Sequence, residues 1–370
     1  MSETRILIVG AGLAGLAAAR TLTGAGFSAE LVERQPAWDG AGTGIYLPGN
    51  AARALRALGL DHEVLERGVV IPRQRVSDDR GRLLVEVDCA ELWDGVGPCL
   101  ALQRADLHAV LLEGARDVPI RMGADVRGLR ARNGTVSVEF GDGTASEYDL
   151  VIGADGIRSS VRRLAFGDDA DAQPVGQVGW RFVTGCPPEL TTWSVMLGHR
   201  TAFLTIPIGS GRVYCYCDVV SSAGEDRHED LGQLFCDYAE PVPQLLNSVA
   251  EPELVHCSTI EEVALDSWVR GRVVLVGDAA HATSPNMAEG AAMALEDALV
   301  LAECLQRFDV VPAALAAFEA RRRPRTDWVR AQTHRRDRIR YLPTAIRNVV
   351  LRAVGQRIFR SNYRPLLDEA

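Results

Sequence analysis

The sequence predicts an α/β fold: a Rossmann-like nucleotide-binding domain, an inserted, mostly antiparallel β-sheet domain, and helices toward the C-terminal end. Three observations carry this. A continuous apolar run, Arg5-Ile6-Leu7-Ile8-Val9, leads directly into Gly10-Ala11-Gly12-Leu13-Ala14-Gly15. A second run, Arg272-Val273-Val274-Leu275-Val276, leads into Gly277-Asp278-Ala279-Ala280-His281. Between them, residues 173–262 carry aromatics and alternating patterns, as in Thr201–Ile206 and Arg212–Asp218. Continuous apolar runs read as strands buried on both faces, and alternation reads as strands with one face on a core.

The elements follow in order. Leu13 to Ala25 is an Ala- and Leu-rich helix that stops near Gly24 and Gly26. Ala29–Glu33 is the second strand, with Glu33 at its end. Asn50–Leu58 is a helix, and residues 69–98 are short strands broken by the turns Asp79-Arg80-Gly81 and Asp94-Gly95. A helix starts at Gln103 and runs to about Ala115. Val136–Phe140 and Glu147–Ile152 form a hairpin about Gly141-Asp142-Gly143-Thr144. The second of these strands runs into Asp155-Gly156-Ile157-Arg158-Ser159-Ser160-Val161-Arg162. Helices are expected at Asp230–Ala239, Glu289–Leu305 and Pro312–Arg323. The expected domains are 1–70, 99–172 and 263–335 for nucleotide binding, and 71–98 with 173–262 for substrate. A helical segment, 336–370, completes the chain.

Each part of the first motif has a physical task. Gly10 makes the tight turn, Gly12 lets backbone approach a pyrophosphate, and Gly15 lets helix and strand pack closely. The helix N-terminus offers free N–H groups to the phosphates. Glu33, close to 20 residues on, is placed to accept from ribose hydroxyls, which disfavours a 2′-phosphate. Gly277-Asp278 places a carboxylate at a small-residue turn, suited to a ribityl chain.

Composition narrows the classes. The 370 residues are 47% hydrophobic and 24% charged, so a large core forms and disorder is excluded as the default. A net charge of −9 excludes a general nucleic-acid binder. The Arg-rich stretch Arg321–Arg340 reads as a solvated helix with buried aliphatic stems. The start Met1-Ser2-Glu3-Thr4-Arg5 lacks the pattern of a signal peptide, and apolar runs are broken before they reach membrane-spanning length. Eight cysteines without a CxxC pair predict no metal site, no disulfide framework and a cytoplasmic location.

The three motifs, in this order and at these separations, resemble the single-component FAD-dependent aromatic hydroxylases of the para-hydroxybenzoate and salicylate hydroxylase type, over roughly residues 1–335. The resemblance implies bound FAD, transient NAD(P)H and O2. It implies hydroxylation of a small aromatic or heteroaromatic ring through a flavin C4a-hydroperoxide, in a monomer or homodimer. It assigns Gly10, Gly12, Gly15 and Glu33, with Ala14 and Arg34 alongside, to the ADP moiety, and Arg104 to the ribityl or phosphate region. Asp155 and Gly156 match a motif shared by FAD and NAD(P)H binding, and Gly277 and Asp278 match the ribityl-binding turn. Pro285 matches the proline near C4a, while Gly290 and Ala291 belong to the loop facing the N1/O2 edge. That loop commonly reads Gly-x-Gly. Here it is Ala288-Glu289-Gly290, and because alanine resists positive φ a shifted loop is expected.

Candidates for handling substrate come from the inserted sheet. Tyr214 and Tyr216 share one strand face. Arg200 and Arg181 are cations able to neutralise a carboxylate or an anionic ring. His281 is expected in a structural hydrogen bond and His199 at the surface. Competing readings are a same-fold epoxidase or antibiotic-modifying oxygenase, a non-oxygenating FAD oxidoreductase, a flavin-free NAD-dependent dehydrogenase, and a non-enzymatic FAD-binding protein. Gly277-Asp278 argues against the flavin-free dehydrogenase.

Overall fold

The computed structural model describes residues 4–38, 43–167, 170–220, 231–249 and 254–370. The first part of the chain contains β1 (Arg5–Val9), α1 (Leu13–Gly24), β2 (Ser28–Glu33), β3 (Gly44–Leu47), α2 (Gly49–Ala57), α3 (Asp61–Arg67), β4 (Val69–Val70), β5 (Arg73–Asp78), β6 (Leu83–Asp88) and α4 (Cys89–Leu92). Then come β7 (Leu100–Gln103), α5 (Arg104–Gly114), β8 (Ile120–Met122), β9 (Val126–Arg132), β10 (Thr135–Phe140), β11 (Ala145–Tyr148), β12 (Leu150–Gly153) and α6 (Ser160–Phe166). The inserted region holds β13 (Gln173–Gly185), β14 (Trp193–Leu197), β15 (Thr201–Pro207), β16 (Arg212–Val220), α7 (Leu231–Leu234), α8 (Val242–Asn247) and β17 (His256–Glu262). The chain ends with β18 (Val269–Arg270), β19 (Val273–Leu275), α9 (Asp278–His281), α10 (Gly290–Arg307), α11 (Val311–Arg340) and α12 (Thr344–Tyr363).

The six-stranded sheet has the order β18-β19-β12-β1-β2-β8 and is parallel except at β18. Its central strands are apolar on both faces: Ile6, Leu7, Ile8, Val151, Ile152, Val274 and Leu275 are all 1% exposed or less. Helix α1 buries Leu16, Ala17, Ala18 and Leu22, and small side chains along it allow close packing. Each large aliphatic residue buried in this way stabilises the fold by about 1.5–3 kcal/mol.

The second large sheet is seven-stranded, with the order β17-β13-β16-β15-β14-β5-β6. It is antiparallel except where β14 pairs β5. Its back covers a second core containing Trp180, Phe182, Phe203, Cys215, Cys217 and Phe235. The period of two then turns Arg181, Tyr214, Tyr216 and Asp218 to the opposite face.

Several expectations are corrected. The strand read at Glu147–Ile152 is two strands. β11 closes the hairpin on β10, and β12 joins β1 in the parallel sheet. Asp149 makes the transfer: its N–H donates to the Arg5 carbonyl at 2.9 Å and its carboxylate accepts from the Arg5 N–H at 2.9 Å. Of the helix expected at 230–239, residue 230 lies outside the described residues, and only Leu231–Leu234 of the rest is helical. The helix expected to end at Arg323 continues through Pro324 to Arg340, so a boundary at 335/336 falls inside it. Proline removes one helical hydrogen bond, but Arg322 and Arg325 on either side are tied to α10 and hold the helix in place. Among the described residues, no helix is long and apolar enough to cross a membrane.

Candidate functional site

Strands β19, β12 and β1 are parallel neighbours, so the loops leaving their carboxyl ends come together, the general location of ligands in such sheets. This is where the three sequence motifs meet. A Cβ on Gly10 would lie 2.6 Å from the Ala154 carbonyl oxygen, and one on Gly277 would lie 2.9 Å from the Ala14 Cβ. One on Gly15 would lie 1.8 Å from the Gly10 carbonyl oxygen. Gly10 also has φ 103°, a region that side chains resist. Gly12 differs, since no heavy atom lies within 4 Å of its Cβ position. It is the N-cap of α1, with no side-chain cap on the helix. An open approach above Gly12 at an uncapped helix N-terminus fits a pyrophosphate.

Glu33 braces this loop. One carboxylate oxygen accepts from the Ala11 N–H and the other from the Gln35 N–H, both at 2.9 Å. His108 on α5 reaches the Ala11 carbonyl with its Nε2 at 2.9 Å, and Trp38 packs on the imidazole at 5.2 Å between centroids. Neither residue belongs to a sequence motif, and nothing in their spacing marks them. Arg34 is exposed at the end of β2, and Arg104 is exposed at the first turn of α5.

Asp155 is occupied by the fold. Its carboxylate accepts from the Ser159 hydroxyl, from the Ser160 N–H and hydroxyl at 2.7 and 2.8 Å, and from the Val161 N–H at 3.1 Å. It therefore sits on the N-terminal turn of α6 as a cap. Gly156, at φ 76°, turns the chain there. Buried Arg162 donates to the Ala279 carbonyl at 3.0 Å, which links this motif to the third.

The Gly277-Asp278 turn rests on a buried polar network. Asp297 accepts from the Gly277 N–H at 2.8 Å and pairs with His281 Nε2 at 2.6 Å, so His281 has the expected structural bond. Its other oxygen accepts from Arg322 Nε at 2.8 Å. Burial would raise the pKa of Asp297, but His281 and Arg322 outweigh it and hold it below the usual value. Arg322 also donates to Glu296, which in addition accepts two bonds from Arg325. The Asp278 carboxylate itself lines the cavity and has no hydrogen-bond partner among the described residues.

Beyond it the chain forms a 3-10 turn at Pro285–Met287, then Ala288, Glu289, and the start of α10 at Gly290-Ala291. Ala288 itself adopts the left-handed conformation that alanine resists, φ 54° and ψ 32°. Asn50 donates from below to Glu289 at 2.9 Å and to Glu296 at 3.2 Å. Burial pushes the Glu289 carboxyl up to about 8, against the Asn50 hydrogen bond.

A cavity of about 800 Å³ lies between this turn, one face of the seven-stranded sheet, and the helices α11 and α12. Asp278, Pro285, Gly290 and Ala291 line one side, and Arg181, Tyr214 and Tyr216 line another. Arg181 Nη1 donates to Ser258 Oγ at 2.8 Å, and its guanidinium lies over the Tyr216 ring at 5.1 Å. Burial pushes Tyr214 up to about 12, against a hydrogen bond and the positive charge of Arg181. The Tyr216 hydroxyl is enclosed by protein with no partner among the described residues. Arg200 does not join them. It is exposed in the β14–β15 turn at φ 60°, outside the cavity lining, so the reading of it as a substrate cation is corrected. His199 beside it is exposed, as expected.

The Arg-rich stretch is also corrected. Arg322 is 0% and Arg340 is 7% exposed. Arg340 pairs with buried Asp218 of β16, and Asp337 accepts from Gln177 and Asn286. Helix α11 is thus a tether between the sheet and the 285–287 turn. Charge runs normally mark a solvated face, and here partner acids on other elements override that rule.

The fold and the site define an FAD-binding protein of the aromatic hydroxylase kind. The chain belongs to the family described as FAD binding domain, whose model matches residues 3–333, and it is an FAD-dependent monooxygenase using NAD(P)H and O2. It is 38% identical to 2-heptyl-3-hydroxy-4(1H)-quinolone synthase of Pseudomonas aeruginosa, over 89% of this chain and 87% of the relative. It is 34% identical to aurachin C monooxygenase/isomerase of Stigmatella aurantiaca, over 85% and 84%. The crystal structure of Klebsiella pneumoniae HpxO complexed with FAD and uric acid superposes with a TM-score of 0.89, at 28% identity, covering 99% of this chain and 97% of that one.

Proposed function

We propose that this monooxygenase hydroxylates an electron-rich heteroaromatic ring bearing an ionisable hydroxyl or ring N–H, with the ring held between the 285–291 turn and Arg181. The observation that carries this is the position of Arg181. It is a half-buried cation pinned by Ser258 and Tyr216 on the cavity wall facing that turn. A fixed cation in a partly dry cavity favours the anionic form of a ring substituent, which makes the ring carbons more nucleophilic. Tyr214, beside Arg181, serves as the hydrogen-bonding partner of that substituent. Tyr216 acts through its ring, as the face on which the guanidinium rests.

The residues of the first site hold the cofactor in this reading. Gly10, Gly12, Ala14 and Gly15 shape the pyrophosphate loop, Glu33 faces the ribose, and Arg34 and Arg104 lie at its outer edge. Asp278 takes a ribityl hydroxyl with its free carboxylate, and Gly290 and Ala291 present N–H groups at the start of α10. Pro285 bounds the space where oxygen reacts. Held by these residues, FAD would supply hydride acceptance from NAD(P)H and activation of O2. No disulfide joins the cysteines among the described residues, which suits a reducing cytoplasm.

The test is anaerobic flavin reduction by NADH and by NADPH with a panel of hydroxypyridines, quinolones, purines and hydroxybenzoates, followed by turnover under ¹⁸O2. A ring that accelerates reduction and gains one ¹⁸O atom supports the reading. Reduction followed by hydrogen peroxide release with every ring would count against it.

A further inference from the structure

The cavity face of the seven-stranded sheet changes chemistry from one edge to the other. At the β17, β13 and β16 side it presents His256, Ser258, Arg181, Tyr214 and Asp218. Crossing to β15, β14, β5 and β6, it presents Leu204, Val195, Leu197, Val76 and Val85. Helix α12 roofs that second half with Leu351, Ile358 and Phe359.

Three side chains with polar atoms reach the apolar half: Trp193 and Gln74 from the sheet and Arg347 from α12. Gln74 donates to the Tyr46 hydroxyl at 2.5 Å. Arg347 donates to the carbonyls of Gly198 and Leu197 at 2.5 and 2.9 Å. Arg347 is thus spent on backbone carbonyls of the sheet, and the Gln74 amide N–H on Tyr46. The roof is tightly fitted, since a Cβ on Gly355 of α12 would lie 2.3 Å from a Val85 methyl.

Strands are spaced at about 4.8 Å, so β16 to β5 spans roughly 14 Å of wall. A single or fused ring between Arg181 and the 285–291 turn leaves the β14–β5 part of this wall free, while α12 closes directly on β6. A wall of that length lined mainly by aliphatic side chains matches an apolar extension on the substrate.

We infer that the substrate is amphipathic: a heteroaromatic head at the Arg181–Tyr214 end, carrying an unbranched alkyl chain or similar apolar tail that lies across β14 and β5 beneath α12. The inference rests on the ring-hydroxylase reading for the head, while the tail chamber stands on its own lining. The C-terminal helix thereby becomes part of the substrate site and sets the tail length.

The experiment is isothermal titration of the FAD-loaded enzyme with 4-quinolones bearing 2-methyl, 2-pentyl, 2-heptyl and 2-nonyl chains, with turnover of the same series measured in parallel. Affinity is expected to rise by roughly three- to four-fold per methylene until the chamber is full. Leu351→Trp and Val195→Phe, which fill the chamber from roof and floor, should each collapse the heptyl-to-methyl affinity ratio by at least about ten-fold. Two separate variants guard against one of them misfolding. Affinity that is flat or falling with chain length overturns the tail chamber, even if the methyl compound is hydroxylated. Rising affinity without hydroxylation of any member keeps the chamber and overturns the ring reading. Rising affinity that neither variant alters places the tail elsewhere and overturns the assignment.

Discussion

Arg322 Nε lies 2.8 Å from Asp297 Oδ1, with both side chains fully buried, and the other oxygen of Asp297 holds the Gly277 N–H and His281. A residue of α11 thus supports the turn that carries Asp278 without touching the cavity. Removing one partner of a buried pair leaves an uncompensated charge, which costs about 3–5 kcal/mol. Arg322→Met is therefore expected to lower the unfolding free energy by that amount at neutral pH, as read from denaturant titration. A loss below about 1 kcal/mol would show that the pair is dispensable.

Glu289 gives a pH signature. Its folded pKa, about 8, lies above the ordinary glutamate value of about 4.3, so the folded state keeps a proton that the unfolded chain releases. The stabilisation is complete below the unfolded value and is lost as pH rises to about 8, at roughly 1.4 kcal/mol per pH unit. Glu289→Gln keeps the neutral, hydrogen-bonded form. Its stability relative to wild type should therefore grow between pH 5 and pH 8 and level off above, as read from denaturant midpoints across that range.

Ala288 carries left-handed backbone where glycine is cheaper. Ala288→Gly is expected to stabilise the FAD-loaded protein by about 0.5–1 kcal/mol, after allowing for the greater freedom of glycine in the unfolded chain. Destabilisation would mean that the alanine methyl packs usefully against the core.

Gly12 and Gly15 separate cofactor binding from folding. Gly15→Ala meets the Gly10 carbonyl at 1.8 Å and should destabilise the protein itself. Gly12→Ala adds a Cβ that meets no protein atom, and its φ of −77° suits any residue. It should leave apoprotein melting within about 0.5 kcal/mol of wild type, while FAD affinity falls by at least about ten-fold. Equal FAD affinity in the two proteins would remove Gly12 from the pyrophosphate site.

The two tyrosines should behave differently. Tyr216→Phe removes a buried hydroxyl with no partner, so stability should hold or rise by up to about 1 kcal/mol, with turnover within about three-fold. Tyr214→Phe removes a hydroxyl beside Arg181, and kcat/KM should fall by about ten-fold or more. The reverse order in steady-state kinetics would exchange their roles.

Local pattern by itself determined the glycine loop, the strand before it, Glu33, and the second apolar strand leading to Gly277-Asp278. Each depends on a few adjacent residues whose backbone and burial needs are met locally. The motif order determined the family, and alternation in β16 determined that Tyr214 and Tyr216 share a face. Only the tertiary structure decided which long-range partners the charged residues find. It sent Arg340 to Asp218 and Arg322 to Asp297, although the run around them reads as a solvated face. It left Arg200 in an exposed turn and placed Arg181 in the cavity. It also carried α11 past Pro324 and brought α12 over the sheet. The physical reason is that a charge or a proline takes its energy from groups far away in sequence. Those distances exist only once the two sheets and the C-terminal helices have packed.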